Sequence, residues 1–131
     1  MTALRDLHTH TTTSDGQYTP AELAWPAKNC GLSVLAVTDH DTIAGVEEAR
    51  QAGAELGLTV IRGVELSARN YPNCHILGYG FRNGDTELAQ LCERFRAGRD
   101  GTNGSIRSWL FSGKGVWKST WPRWRSWRAA M

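Results

Sequence analysis

The chain has 131 residues, with 15 Lys and Arg against 13 Asp and Glu, and 40% of it is hydrophobic. That length suits one domain with a modest core, and no apolar run approaches the roughly 20 residues of a membrane span. No cleavable signal pattern opens the sequence, so a soluble, cytoplasmic protein with no membrane segment and no obligate protein partner is expected.

Cys30, Cys74 and Cys92 are odd in number and lack paired ligand spacing, which points to structural thiols in a reducing compartment. Charge is unevenly spread. Residues 1–93 carry six basic and twelve acidic side chains, whereas residues 94–131 carry nine basic and one acidic, with five of the six tryptophans. Two segments are expected: a folded domain over 1–98 and a basic tail of Trp, Arg, Gly and Ser over 99–131.

Ala3 to Leu7 reads as a short apolar strand. The polar loop from Thr9 to Tyr18 leads into Thr19-Pro20-Ala21-Glu22, a capping box with proline at the first helical position. The helix should run from Pro20 to near Gly31, kinked or shortened by Pro26. Ser33 to Thr38 is a nearly continuous apolar run, as expected of a strand buried on both faces. Thr42 can cap a second helix through Leu56, which Gly57 ends. A third strand over Leu58–Leu66, a fourth over His75–Phe81 and a third helix over Asp85–Ala97 follow. This alternation predicts an α/β domain with a mainly parallel sheet, an incomplete barrel among the options.

In such folds the chemistry sits at the C-terminal ends of the strands. His8 and His10 follow the first strand, Asp39, His40 and Asp41 the second, and Glu65 ends the third. His75 opens the fourth, where the 67–74 loop can bring it over the same rim. Side chains at i, i+2 and i+4 of a strand share a face, so Asp6, His8 and His10 can converge on one point, beside Asp15. Imidazoles and carboxylates without thiolates form a ligand set for Mn²⁺, Fe²⁺ or Zn²⁺. A blander role competes at each position: Asp15-Gly16 is also an ordinary turn, Asp39 and Asp41 can cap the next helix, and Glu65 can be a solvated strand end. Arg62, Arg69 and Lys28 are candidates for holding a second phosphate, though such side chains are more often solvated.

Five segments together carry a family resemblance. Asp6-Leu7-His8-Thr9-His10, Ser14-Asp15-Gly16, Thr38-Asp39-His40-Asp41, Gly63-Val64-Glu65 and His75-Ile76-Leu77-Gly78-Tyr79 resemble, in order, the motifs of the PHP (polymerase and histidinol phosphatase) family. The likeness is greatest to stand-alone bacterial phosphoesterases acting on nucleoside 3′,5′-bisphosphates and RNA 5′ ends. It implies the N-terminal part of a distorted (β/α)₇ barrel holding two or three divalent ions. By resemblance, His8 and His10 hold the first ion, Asp15 and His40 the second, Glu65 bridges, and His75 helps to hold a third. Asp15, His40 and Glu65 are then the catalytic set. Asp6 matches a residue that orients a ligand imidazole through its free ring nitrogen, and Asp39 and Asp41 support the site from behind. Two such ions lower the pKa of a bridging water to about 7, so a metal-bound hydroxide is expected to attack a phosphate ester of a nucleotide, a short RNA or another phosphorylated small molecule.

The resemblance also implies a further histidine, then an aspartate and a histidine, in later motifs, and no histidine follows His75. From Gly101 to Met131 neither alternation nor sustained aliphatic spacing is present, as in a disordered or frame-shifted segment leaving the ancestral frame near Asp100. Interleaved Arg and Trp there also suit nucleic acid or an anionic membrane. The alternative to an enzyme is therefore a non-catalytic remnant or a basic interaction module.

Overall fold

The computed structural model describes residues 3–68 and 74–97. The tail expected over 99–131, its boundary at 98, and Arg69 lie outside the described residues.

The chain forms β1 (Leu4–Thr9), α1 (Pro20–Asn29), β2 (Leu32–Val37), α2 (Val46–Glu55), β3 (Thr59–Ser67), β4 (His75–Tyr79) and α3 (Thr86–Ala97), in the order read from the sequence. One four-stranded sheet has the spatial order β1-β2-β3-β4, with β1, β2 and β3 parallel and β4 antiparallel to β3. The Tyr79 hydroxyl on β4 donates to the Leu7 carbonyl on β1 at 2.7 Å, so the sheet curls into a half-barrel. Among the described residues no helix is long and apolar enough to cross a membrane.

α1 begins as its capping box dictates. Thr19 Oγ1 accepts from the Glu22 N–H at 3.2 Å, and the Glu22 carboxylate accepts from the Thr19 N–H at 3.0 Å. The helix continues through Pro26 and stops at Asn29, with Gly31 at φ +82° turning the chain out.

α2 starts later than expected. Thr42 is not its cap: the helix begins at Val46 behind Gly45, and the Thr42 hydroxyl accepts from the Ala44 N–H at 3.3 Å in a local turn. The cause lies one residue earlier, where Asp41 adopts φ +50° and reaches back to β3, so residues 41–45 cannot join the helix. Nor does Asp41 cap it.

Alternation in β3 decides which side chains face the helices. Val60 packs with Leu35 and Val37 of β2 and with Ala24, Ala27, Val46 and Ala49 of the first two helices. Val64 and Leu66 pack with Leu88, Leu91, Cys92 and Phe95 of α3. Glu65, between them in sequence, therefore points to the opposite, concave side.

Cys92 is 3% exposed, whereas Cys30 and Cys74 are exposed. Burial, then the charge of Asp41, pushes the Cys92 thiol from 9.0 up to about 12. The folded state thus keeps a proton that the unfolded chain releases, so this contribution to stability is complete below pH 9 and is lost as pH rises toward 12. Iodoacetamide at pH 8 is expected to modify two thiols in the native protein and three in denaturant, counted by mass spectrometry.

Candidate metal centre

β1 and β2 carry the first ligands to the rim together. Thr38 donates its N–H to the Thr9 carbonyl at 2.8 Å, and Thr9 Oγ1 donates to the Ala36 carbonyl at 2.7 Å. Their register slips, however. Asp6 lies opposite Leu35 and Thr9 opposite Val37, so β1 holds one extra residue, a bulge that re-aims the side chains around His8. The simple i, i+2, i+4 face therefore breaks at Asp6, whose Oδ1 accepts from the His8 backbone N–H at 3.1 Å rather than from its ring.

His8 and His10 do converge, with their Nε2 atoms 3.1 Å apart. Beyond β2 the pairing with β3 continues as one bridge between His40 and Glu65, closed by the Asp41 N–H to the Glu65 carbonyl at 2.8 Å and the Glu65 N–H to the Asp39 carbonyl at 3.1 Å. Glu65 Oε2 then lies 2.9 Å from His8 Nε2, 3.2 Å from His10 Nε2 and 3.6 Å from His40 Nδ1. Its Oε1 lies 2.9 Å from His75 Nδ1. Asp15 closes the other side, 3.3 Å from His10 Nδ1 and 3.6 Å from His40 Nε2.

The remaining acids act behind these groups. Asp39, fully buried, accepts from the Thr11 N–H at 2.6 Å, the Thr11 hydroxyl at 2.7 Å and the Ser14 hydroxyl at 2.6 Å, pinning the loop that carries His10 and Asp15. Asp41 accepts from the Ser67 N–H at 2.9 Å and its hydroxyl at 2.7 Å, tying the His40 segment to the end of β3. Sequence reasoning passed over Thr11 and Ser67, because hydroxyls in polar loops carry no signal until their acceptors are known.

Gly16 allows the loop to close on itself. A Cβ there would stand 2.2 Å from the His10 carbonyl oxygen and 2.6 Å from the Thr11 nitrogen. Gly16→Ala must therefore displace the His10 backbone, and divalent-metal affinity is expected to fall by about 10–100-fold, as when the support of a ligand is lost. Metal titration, with circular dichroism to verify folding, checks this.

Two proposed phosphate holders lie elsewhere. Arg62 pairs with Glu47 on the helix-covered face of β3, and Lys28 Nζ donates to the Gly57 carbonyl at 3.1 Å. Arg96, which the sequence did not single out, lines a pocket with Asp15 and His40.

Burial pushes the Glu65 carboxyl up, but the His8 hydrogen bond, the charge of His40 and the His75 hydrogen bond outweigh it and hold it below its ordinary value. The donors suit cations. They form three overlapping groups, His8–His10–Glu65, His10–Asp15–His40 and His40–Glu65–His75, each with its ligand atoms within 4.8 Å of one another. His8 Nε2, His10 Nε2 and Glu65 Oε2 lie within 3.2 Å of one another, so three atoms able to offer lone pairs face one point, as ligands of a shared cation do. With nitrogen and oxygen donors and no thiolate, the set fits a divalent transition metal.

An α/β half-barrel with an imidazole and carboxylate cluster at its strand ends defines a candidate metal-dependent hydrolase. The PHP domain family matches residues 6–114, and the chain belongs to that family. A 5′-3′ exoribonuclease of Haemophilus influenzae is 42% identical over 101 residues, covering 76% of this chain and 37% of the relative. A 3′,5′-nucleoside bisphosphate phosphatase of Chromobacterium violaceum is 39% identical over 95 residues, covering 72% and 33%. A solved structure from Bifidobacterium adolescentis, assigned as a metal-dependent phosphoesterase, superposes with a TM-score of 0.65 at 35% identity, over 72% of this chain and 34% of that one. The chain thus spans about a third of the length of these relatives.

Proposed function

We propose that this centre hydrolyses phosphate esters of nucleotides or short RNA with two or three divalent ions, Mn²⁺, Fe²⁺ or Zn²⁺. The observation that carries this reading is one carboxylate, Glu65, within 3.6 Å of four imidazoles. The names of the relatives supply the substrate class.

His8, His10 and Glu65 would hold one ion, Asp15 and His40 a second beside His10, and Glu65 with His40 and His75 a third, so that Glu65 would serve two of the groups. When bound, such ions acidify a water to a pKa of about 7 and neutralise phosphate oxygens. The chain's own part is to orient. Asp39 fixes the loop of His10 and Asp15, Asp41 fixes the segment of His40, and the bulge aims His8. The Ser14 hydroxyl donates to Asp39 at 2.6 Å and serves that loop, not as a nucleophile.

Phosphate release from p-nitrophenyl phosphate and adenosine 3′,5′-bisphosphate tests the reading. Release is expected to require Mn²⁺, Fe²⁺ or Zn²⁺ and to fall by about 100-fold or more in His8→Ala, at least the loss seen when metal support is removed. Release that survives both chelation and His8→Ala would refute it.

A further inference from the structure

A pocket of about 320 Å³ opens beside the centre, lined by Thr13, Ser14, Asp15, His40 and Arg96. It shares Asp15 and His40 with the metal-ligating groups, so whatever fills it lies against the ions that those residues would hold. Among the described residues of the lining, Arg96 is the one Lys or Arg.

Among the described residues, its placement is fixed by the core. Phe95, immediately before it, is 3% exposed and packs with Val64 and Leu66, the neighbours of Glu65 in β3. The last turn of α3 is thereby locked to the strand that carries Glu65. Among the described residues no hydrogen bond or ion pair engages the Arg96 guanidinium, whereas Arg62 is held by Glu47, Arg50 by Glu47 and the Val60 carbonyl, and Lys28 by the Gly57 carbonyl. Asp15, the acid of the pocket, already faces the rings of His10 and His40.

We infer that Arg96 is a substrate-binding residue, which holds a non-bridging oxygen of the substrate's phosphoryl group on the Asp15 and His40 side of the centre. The inference rests on the reading of the centre as a phosphoesterase. A guanidinium offers a planar fork of donors that matches a phosphate, and the Thr13 and Ser14 loop lines the same pocket. A basic residue in the last turn of a helix can also serve only the helix dipole, and that role would change thermal stability without changing anion affinity.

Titration of the full chain with inorganic phosphate, with and without Mn²⁺, separates the two. Arg96→Gln is expected to weaken phosphate binding about tenfold, the effect of one charge-assisted hydrogen bond, while Mn²⁺ affinity stays unchanged. Arg96→Lys should recover only part of the loss, since it keeps the charge but not the fork. Equal phosphate affinity in wild type and Arg96→Gln, or no phosphate binding by the wild type, would overturn the assignment. A wild-type protein that takes up no Mn²⁺ fails the metal-centre reading instead, and the metal-free titrations still decide Arg96.

Discussion

Glu65→Gln is expected to lower divalent-metal affinity by about 100-fold or more and to remove turnover with it, since even an outer partner of a ligand is worth 10–100-fold. The substitution preserves shape and removes one charge. Glu65 is 5% exposed and faces His8, His10, His40 and His75, so no other carboxylate in the cluster touches all four rings. The same change has a signature without metal. The Glu65 carboxyl lies below its ordinary 4.5 in the folded state, so it stabilises the fold above that pH and loses the contribution as acid carries it through the lowered value. Metal-free wild type should therefore lose more stability between pH 5 and pH 3 than Glu65→Gln does. Metal titration and urea unfolding at both pH values check the two halves, and unchanged affinity in the variant would remove Glu65 from the centre.

Asp39→Ala is expected to destabilise the protein by about 3 kcal/mol, because three donors that now meet a buried carboxylate would lose their acceptor. For a domain of this size that corresponds to a melting temperature lower by about 15 °C. The Thr11 N–H, Thr11 hydroxyl and Ser14 hydroxyl all depend on it, and they form the loop between His10 and Asp15. Metal affinity should fall together with stability, whereas a buried acid serving the core alone would spare the metal. Thermal unfolding and metal titration of Asp39→Ala and Asp39→Asn distinguish these roles; Asn keeps an acceptor and should lose less.

Much of this arrangement was legible from local chemistry. The capping box at Thr19, the apolar run that became β2, and the placement of His8, His10, His40 and Glu65 at the ends of three strands follow from residue types and spacing. The parts that were not legible depend on distant partners. The bulge in β1 exists because its register is set by β2, about 28 residues later, and a strand read alone shows only alternation. The start of α2 was misplaced because Thr42 looks like a cap, while Asp41 next to it takes a left-handed backbone and bonds Ser67. Arg62 looked free in sequence, yet Glu47 on α2 neutralises it on the helix face, and Arg96 became visible only once α3 had a place to dock.

The proposed function requires divalent ions at the His8–His10–Glu65, His10–Asp15–His40 and His40–Glu65–His75 groups. Anomalous scattering from crystals of the Mn²⁺-loaded protein decides whether they are there. Peaks are expected within coordination distance of His8, His10 and Glu65 and of Asp15 and His40, and they should be absent in Glu65→Gln crystals grown under the same conditions. Manganese that binds elsewhere, or a wild-type cluster with no peak at saturating Mn²⁺, would contradict it.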